Sequence, residues 1–569
     1  MTTFRFDGAE IPFRRGQSVA AALLAAGVSA VRRTRGADAP RGVFCGIGVC
    51  FDCLATIDGA GGVRTCQVIA TEGLEVTSAE PAASAPPPSE SAALETVADL
   101  AIVGGGPAGM AAAAAALEGG LRVVLMDAGA EVGGQYWRFP PAGSDLGRGE
   151  DLHHDLATYA GLRERLAEGE RAGRLDLRRG TEVWATVRTG QAWRVHLAPT
   201  SPRPGVITAR WLLVATGAHD LALPFPGWDL PGVMTVGGLQ SLLKGSDVLP
   251  GQRVVVAGSG PFLLPVAAGL AARGSRVLAL CEAGRPGGWA RGLPAVVAQP
   301  GKVREAAGYA ALLARHRVQL RSATVVVRAL GAQRLEAVEV ARLDRSGRVD
   351  RSSAQQIEVD ALGVSWGFVP RLDLLTPHRP RMRRGVDGQM VVAVDGWQAS
   401  SIPGLLVAGE TCGVGGAGLA LAEGRLAGLG VRAAQGERLD DAQVARLRRE
   451  VASLRRFADL VQARTVVLHG WLHDQPDDTV LCRCEETRLG AARAVIAQHG
   501  DLDPGLLKHH TRAGMGWCQG RICGPATRML CGTPDRVEER LLATPVRLGD
   551  LAARSDMHRS ENPAMKEPT

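Results

Sequence analysis

A glycine-rich turn between an apolar strand and an alanine-rich helix constrains the fold of this chain more than any other feature of its sequence. Residues 99–109 read DLAIVGGGPAG, and the next apolar strand, LRVVLMD, ends in an acid. This succession is typical of a dinucleotide-binding unit. The glycines would allow a tight turn, close approach of the backbone to a pyrophosphate at the helix N-terminus, and close helix packing, while the acid would accept hydrogen bonds from ribose hydroxyls. The predicted binding residues are Gly104, Gly106, Pro107, Ala108, Gly109 and Asp127.

Three later segments favour FAD over NAD at this site. Gly133-Gly134-Gln135 follows the second strand, and the strand LLVATG marks the return of the chain to the same domain. The strand GLLVAGE precedes the glycine-rich start of a helix, which would place an acid near the ribityl chain and a helix N-terminus near the flavin ring. The predicted FAD-binding residues of these segments are Gly134, Gln135, Ala215, Thr216, Gly217, Gly409 and Glu410.

The same pattern recurs inside this first domain. Residues 253–263, RVVVAGSGPFL, and a strand that ends at Glu282 predict a second, nested dinucleotide-binding domain with Gly258, Gly260 and Glu282 as its candidate binding residues. Leu263 takes the place of the third glycine, so the helix would approach the strand less closely. Two interpretations stay open at this point, namely binding of NAD(P) or another adenine nucleotide, and an inherited fold that binds nothing.

Four cysteines near the N-terminus have the C-x4-C-x2-C…C spacing of plant-type ferredoxins. They are Cys45, Cys50, Cys53 and Cys66. Gly46 and Gly48 would let backbone amides turn toward cluster sulfur without a Cβ clash. The spacing predicts a [2Fe–2S] cluster; the alternatives are structural thiols or zinc, which usually takes two close cysteine pairs where this segment has one.

Four more cysteines near the C-terminus form a C-x-C followed by a distant C-x4-C. They are Cys482, Cys484, Cys518 and Cys523, and surrounding glycines supply the turns that a cluster loop requires. We predict a second [2Fe–2S] cluster, with zinc as the alternative because C-x4-C is also a zinc spacing. Cys281 and Cys412 are isolated and predicted to be buried. The only C-x-x-C lies in the ferredoxin-like loop, so we do not predict a disulfide reductase.

Composition narrows the class of protein further. Eleven cysteines without an export signal indicate metal ligation in a reducing cytoplasm. The formal charge of +7 is scattered along the chain, and negatively charged clusters and FAD would offset most of it, so nucleic-acid binding is not predicted. Residues 100–117 are apolar enough to suggest a membrane span, but their glycines and proline break the run into strand and helix. We therefore expect a soluble, cytoplasmic protein.

These motifs predict a multidomain α/β fold. A β-grasp ferredoxin-like domain would occupy residues 1–78, and a linker rich in Pro, Ala and Ser residues 79–97. Two nested Rossmann-like domains follow, the FAD-binding domain at 98–218 and 376–436 and the second dinucleotide-binding domain at 219–375. A small helical [2Fe–2S] domain at 437–554 and a disordered tail at 555–569 would complete the chain.

Taken together, the motifs FCGIGVCFDC, VRTC, GGGPAGM, GGQYWR and CRCEET…GMGWCQGRIC resemble those of the flavoprotein A (alpha) subunits of heteromeric amine dehydrogenases and oxidases. That group includes opine oxidases, hydrogen cyanide synthase, D-hydroxyproline and proline dehydrogenases, and sarcosine oxidase. Residues 99–436 are also similar to the flavoprotein disulfide reductase superfamily. The two cysteine modules resemble the small ferredoxin-like subunit of those complexes and the bacterioferritin-associated-ferredoxin domain, here fused to the flavoprotein.

The resemblance implies that a separate flavoprotein beta subunit of the D-amino-acid-oxidase type oxidises the amine, with small extra subunits as further candidate partners. This chain would accept the electrons on FAD or a cluster and pass them to an acceptor that the sequence does not identify. No constellation of His, Tyr and carboxylate residues marks a substrate pocket in the sequence, and no catalytic residue is assigned. The rival hypotheses are an NAD(P)H-dependent flavin and iron–sulfur reductase, and a scaffold with inert domains.

Overall fold

The computed structural model describes residues 2–78, 94–285, 299–463, 470–500, 502–546, 548 and 551. The N-terminal elements are β1 (Thr3–Phe6), β2 (Ala9–Pro12), α1 (Val19–Ala25), β3 (Arg32–Arg33), β4 (Pro40–Arg41), β5 (Leu54–Ile57), β6 (Ala60–Arg64) and β7 (Glu75–Thr77). Five strands form a mixed sheet in the order β2-β1-β7-β5-β6. Ser18 caps α1 by accepting a hydrogen bond from the Ala21 amide at 3.2 Å. The sheet and its helix confirm the predicted β-grasp fold.

The chain from residue 94 to residue 285 alternates strands and helices. Its elements are β8 (Leu94–Val103), α2 (Pro107–Glu118), β9 (Val123–Met126), α3 (Leu156–Arg171), β10 (Leu175–Arg178), β11 (Val183–Thr189), β12 (Ala192–Leu197), β13 (Gly205–Val214), β14 (Ala218–Asp220), β15 (Val233–Thr235), α4 (Val236–Ser246), β16 (Arg253–Gly258), α5 (Leu263–Ala272) and β17 (Arg276–Glu282).

The remaining elements begin at residue 300. They are α6 (Pro300–Arg315), β18 (Gln319–Ser322), β19 (Thr324–Leu330), β20 (Ala337–Leu343), β21 (Val349–Glu358), β22 (Ala361–Ser365), β23 (Phe368–Pro370), β24 (Met382–Arg384), β25 (Met390–Val392), β26 (Leu405–Val407), α7 (Ala417–Ala434), α8 (Asp441–Gln462), β27 (Val480–Cys482), β28 (Thr487–Arg488), α9 (Leu489–His499), α10 (Pro504–Thr511) and α11 (Gly524–Leu530).

The first Rossmann-like domain is built on a seven-stranded sheet. Strands β10, β9, β8, β13 and β26 are parallel, and β12 and β11 extend the sheet as antiparallel strands. Strand β9 is buried along its whole length, which explains why it reads as a continuous apolar run and not as an alternating one. Helix α7 packs against α2 so closely that a Cβ on Gly424 would lie 2.0 Å from the Ala108 carbonyl oxygen.

Strand β8 begins earlier than the sequence predicts. Composition places residues 94–97 in the linker, but they pair with the start of β13, where Gly205 lies opposite Leu94. The neighbouring strand supplies backbone partners that composition alone does not reveal. Residues 79–93 of the predicted linker and the predicted tail at 555–569 lie outside the described residues.

The second Rossmann-like domain is inserted between β14 and β23, which pair with each other in antiparallel fashion. It has a parallel sheet in the order β15-β22-β16-β17-β18 and a three-stranded antiparallel sheet, β19-β20-β21. Beyond it, α8 extends over 22 residues, and a β27-β28 hairpin with α9, α10 and α11 carries the C-terminal cysteines. In the described part of the chain, no helix combines the length and apolarity that crossing a bilayer requires.

Candidate functional site

A cavity of about 1160 Å³ lies at the glycine-rich turn of the first Rossmann-like domain. The predicted FAD-binding residues that line it are Gly104, Gly106, Pro107, Ala108, Asp127, Gly134, Gln135, Ala215, Thr216, Gly217, Gly409 and Glu410. Separate segments of the chain therefore meet at one site. Gly109 does not line the cavity; a Cβ on it would lie 1.8 Å from the Gly104 carbonyl oxygen, so it allows the helix to pack against the turn.

Two glycines make the close approaches that shape this cavity. Gly104 has a φ of +107°, and a Cβ there would lie 2.3 Å from the Ala215 carbonyl oxygen. Gly134 has a φ of +62°, and its Cβ would lie 2.9 Å from the Gly106 Cα. Both glycines have a positive φ, and a Cβ on either would clash with neighbouring backbone, so only glycine fits here without strain. Because no side chain covers the turn at these positions, its backbone atoms face the cavity. This cradle fits the pyrophosphate of a dinucleotide.

The acid that follows β9 is held by backbone amides. Asp127 accepts hydrogen bonds from the amides of Gly105 and Gly129, both at 2.6 Å. Burial raises the pKa of the Asp127 carboxyl above its ordinary value, while the two amides act in the opposite direction. The side chain lines the cavity at the place where the sequence predicts a ribose.

The second acid that the sequence predicts at the FAD site, Glu410, lies before the N-terminus of α7 and lines the cavity. The Glu410 carboxylate accepts hydrogen bonds from the Gly416 amide at 2.8 Å and the Gly415 amide at 3.4 Å. Burial raises the pKa of Glu410. Nearby, the buried Glu423 carboxylate accepts a hydrogen bond from the Gly409 amide at 3.0 Å and forms an ion pair at 2.6 Å with Arg455 of α8, which is half-buried. Both acids therefore brace the segment that borders the cavity.

The second dinucleotide motif is arranged differently. Helix α5 begins at Leu263, whereas α2 begins two residues before the corresponding glycine. Glu282 accepts hydrogen bonds from the amides of Gly260 at 3.0 Å and Gly284 at 2.9 Å. Gly258, Gly260 and Glu282 are absent from the described residues that line the 1160 Å³ cavity. Nucleotide binding at this second motif stays a prediction.

The four N-terminal cysteines lie close together with their thiols in two pairs. Cys45 forms a hydrogen bond with Cys50, and Cys53 forms one with Cys66. The amides of Val49 and Cys50 donate to Cys45 Sγ at 3.3 and 3.4 Å, and the two glycines of the loop have positive φ. These are the amide orientations that the sequence predicts from the glycines.

The four C-terminal cysteines also converge. The sulfur atoms of Cys484 and Cys518 are 3.7 Å apart, and the Cys482 thiol contacts those of Cys484 and Cys523. A Cβ on Gly516 would lie 2.1 Å from the Cys484 Cβ, so a larger residue would displace this thiol. Within the described residues, no group of three or more His, Cys, Asp or Glu side chains surrounds a single metal position. Four converging thiols fit the predicted two-iron cluster, in which each iron takes two protein ligands, and zinc stays the alternative.

The N-terminal cysteine loop borders the cavity directly. Gly48, Val49 and Cys66 line the cavity together with the predicted FAD-binding residues. Arg138 lines it as well, and its guanidinium interacts electrostatically with Cys66 and Asp127. Burial lowers the pKa of Arg138, and these two partners act in the opposite direction. A cation of the cavity wall therefore interacts with both a predicted cluster ligand and the acid of the dinucleotide motif.

Sequence reasoning missed a polar group on another wall of the cavity. His154 Nε2 and the Tyr309 hydroxyl are 2.5 Å apart, and Lys244 Nζ donates to the Tyr136 carbonyl oxygen at 3.1 Å. All four residues line the cavity. Burial lowers the pKa of Lys244 to about 8. No local signal could have found this group, because its members come from segments that the fold alone brings together.

Comparisons with known proteins agree with this arrangement. Residues 1–81 match the 2Fe-2S iron-sulfur cluster binding domain, and residues 98–445 match the pyridine nucleotide-disulphide oxidoreductase family. The chain is 34% identical to the hydrogen cyanide synthase subunit HcnB of Pseudomonas protegens, over 74% of this chain and 89% of the relative. It is 33% identical to an opine oxidase subunit of Rhizobium meliloti, over 75% of this chain and 90% of the relative.

A solved structure shares the fold over almost the whole length. The L-proline dehydrogenase from P. horikoshii superposes with a TM-score of 0.71, at 20% identity, over 97% of each chain. The two matched domains carry FAD and a [2Fe–2S] cluster, in line with the cavity and the N-terminal cysteine loop. The chain therefore belongs to the pyridine nucleotide-disulphide oxidoreductase family, carries an N-terminal 2Fe-2S domain, and is an oxidoreductase related to subunits of hydrogen cyanide synthase and opine oxidase.

Proposed function

We propose that this chain is the electron-transfer subunit of a heteromeric amine or amino-acid dehydrogenase or oxidase of the opine, hydroxyproline or sarcosine type. In this proposal a separate flavoprotein subunit of the D-amino-acid-oxidase type removes electrons from a CH–NH donor. This chain relays them through FAD and two [2Fe–2S] clusters to an acceptor. The observation that carries the proposal is the shared cavity, which is lined both by the predicted FAD-binding residues and by the N-terminal cysteine loop.

The contacts of that cysteine loop support electron transfer across the cavity wall. Cys66 belongs to the wall itself, so a cluster bound there would lie next to a flavin in the cavity. When bound, FAD converts a two-electron transfer into single-electron steps that clusters can hold. Arg138, which interacts electrostatically with both Cys66 and Asp127, would stabilise the negative charge that reduction adds to the cluster or to the flavin.

The cysteine loop is also held by other parts of the chain. Ser241 of α4 donates a hydrogen bond to the Gly46 carbonyl oxygen at 3.2 Å, and the Thr235 amide donates to the Phe44 carbonyl oxygen at 2.9 Å. Arg64 of β6 donates a hydrogen bond to the Gly48 carbonyl oxygen at 2.9 Å and forms an ion pair with Glu182 at 2.6 Å. A loop held by several elements can keep the short donor–acceptor distance that fast electron transfer requires.

Two parts of the proposal, the amine donor and the partner subunit, are inferred from the relatives. Both curated relatives are named as subunits, one of hydrogen cyanide synthase and one of an opine oxidase. The alignment with this chain covers about nine tenths of the length of each of these two relatives. The competing proposal is an NAD(P)H-dependent reductase. The glycines of the second motif do not line the cavity, but Pro261 and Phe262 of the same motif do, so the titration below decides between the two proposals.

An anaerobic titration of the purified, cofactor-loaded chain with NADH and with NADPH tests this function. We expect the flavin and cluster absorbance to stay oxidised with both and to bleach with dithionite. Rapid bleaching by either nicotinamide would refute the relay and establish a reductase. The E282Q variant is the matched control, because it removes the charge of the second motif and leaves the cavity-lining acid Asp127 in place.

A second experiment tests the relay with its partner. Co-expression with the flavoprotein subunit should give a complex that an amine substrate bleaches completely. The C66S variant should let the substrate reduce the flavin of the complex but slow electron delivery to an artificial acceptor. A complex that reduces the acceptor equally fast with Cys66 and with serine would contradict the route through the N-terminal cluster.

A further inference from the structure

A buried ion pair joins the two cysteine loops, although they are more than 400 positions apart in the chain. Arg483 Nε donates to Asp52 Oδ2 at 2.7 Å, and the two side chains are 4% and 1% exposed. Asp52 lies between Cys50 and Cys53, and Arg483 lies between Cys482 and Cys484. Each partner is thus an immediate neighbour of predicted cluster ligands on its own loop.

The guanidinium of Arg483 is fixed by further contacts. It donates to the Trp228 carbonyl oxygen, and its Cζ lies 4.0 Å from the centre of the Phe44 ring and 5.1 Å from that of Trp228. Cation–π contacts and a charge-assisted hydrogen bond leave such a group little freedom. The position of one cysteine loop is therefore tied to that of the other.

A second layer of charged contacts surrounds the pair. Arg41 Nε donates to the Arg483 carbonyl oxygen at 3.4 Å, and its Nη2 lies 3.1 Å from an Asp229 carboxylate oxygen. Arg32 Nε donates to the Asp52 carbonyl oxygen at 3.0 Å. Burying so many charges stabilises a fold little or not at all compared with apolar packing. Their arrangement points to a requirement for a fixed geometry between the loops.

The cysteine sites also differ in their relation to the cavity. Cys66 of the N-terminal site lines it, whereas the described cavity wall contains none of the four predicted C-terminal ligands. Cysteines of both sites, including Cys50 and Cys482, belong to one continuous buried core. Both sites therefore belong to one core that borders the cavity, the N-terminal site through Cys66 and the C-terminal loop through Arg521, which lies between Cys518 and Cys523.

We infer that Asp52 and Arg483 are positioning residues that hold the two cluster sites as one electron-transfer unit beside the cavity, in which an electron passes directly from one cluster to the other. The inference rests on the proposed function and adds the residues that position its two cluster sites. In the step that it assigns, the reduced cluster loses one electron and the oxidised cluster gains it. No bond forms or breaks, and no proton moves.

The first test uses the wild-type chain. Iron and acid-labile sulfide analysis should give about four irons per chain, as two [2Fe–2S] clusters require. About two irons per chain would refute the proposed function together with this inference. With about four present, the EPR spectrum of the dithionite-reduced protein tests the inference alone. We expect line splitting or broadening from magnetic interaction between neighbouring clusters, and two independent signals would overturn the direct transfer.

The second test measures the reduction potential of each cluster in the R483M variant by EPR-monitored titration. The substitution removes a positive charge and leaves Asp52 as an unpaired anion between its cysteines. Because a positive charge stabilises the reduced form of a cluster, we expect the potentials of both clusters to fall. A fall restricted to the C-terminal cluster would overturn the shared role of the pair.

Two further variants keep this test decisive. R512M is the matched control: Arg512 is 67% exposed and pairs at 2.8 Å with Glu485, beside Cys484, so its loss should change both potentials far less. The double variant D52N/R483M leaves no unpaired charge and should load both clusters even where R483M alone does not. We expect it to weaken the magnetic interaction between the clusters, and an unchanged interaction would show that the pair does not position them.

Discussion

The glycine at position 424 offers the sharpest test of how the FAD turn is built. A Cβ there would lie 2.0 Å from the Ala108 carbonyl oxygen, well short of the 3.4 Å at which ordinary contact begins. The atoms it meets are backbone, so they cannot rotate away. The G424A variant therefore requires α7 to move away from α2, directly at the start of the cavity-lining turn.

The magnitude follows from two opposing effects. Overpacking of a buried contact costs about 1–3 kcal/mol, and a backbone obstacle places this case at the upper end. Alanine in place of glycine inside a helix returns up to about 1 kcal/mol. We expect G424A to lower the free energy of unfolding by about 2 kcal/mol. Because Ala108 lines the cavity, FAD should also dissociate more readily.

The same helix supplies the control. Gly418 is exposed, and a Cβ on it would meet no atom within 4 Å, so G418A should stabilise the fold by about 0.4–1 kcal/mol. Urea unfolding followed by far-ultraviolet circular dichroism compares the two variants, and gel filtration measures the FAD each retains. If G424A proves as stable as G418A and keeps its FAD, the close packing of α7 on α2 is refuted.

Three further changes separate the roles assigned above. C66S should remove about half of the iron of a two-cluster protein, whereas C531S, at a cysteine outside both sets, should remove none, as iron analysis will show. Lys244 has a pKa of about 8 in the folded state against 10.5 in the unfolded state, so the free energy of unfolding of the wild type should rise between these pH values as the unfolded state loses its extra proton. K244M should therefore be more stable than the wild type at pH 7, and urea unfolding should show this difference shrinking by pH 10. E423Q removes the charge of Glu423, which is 3% exposed and pairs with Arg455, and should cost about 3 kcal/mol. E437Q removes the charge of Glu437, which is 37% exposed and pairs with Arg432, and should cost less than about 1 kcal/mol. Equal losses on denaturant unfolding would contradict the difference in burial between the two carboxylates.

Features contained in one continuous segment were predictable from the sequence. The turn from Gly104 to Gly109 and the loop from Cys45 to Cys53 each combine residue type, spacing and chain direction within about ten residues. At that range the covalent chain itself limits the conformations, so a motif determines its local geometry. The nested arrangement of two Rossmann-like domains could also be predicted, because the pattern occurs twice and its flanking strands return to one sheet.

Contacts between distant segments could not be read in this way. Strand β8 gains four residues at its start from the backbone of β13, and α5 starts at Leu263, where the first motif has a glycine already inside the helix. Lys244 and Tyr309 approach the cavity from different helices. Each of these features depends on the packing of separate helices and strands, and the spacing of residues within one segment gives no information about that packing.

The sequence by itself determined which chemistry this chain can carry, namely a dinucleotide cradle and two sets of four thiols. Only the tertiary structure decided how these parts are connected. It placed Cys66 in the wall of the flavin cavity and paired Asp52 with Arg483 across the two cysteine loops. The physical reason is that ligand spacing is a property of short chain segments, whereas the distance between sites is set by the packing of whole domains around a common core.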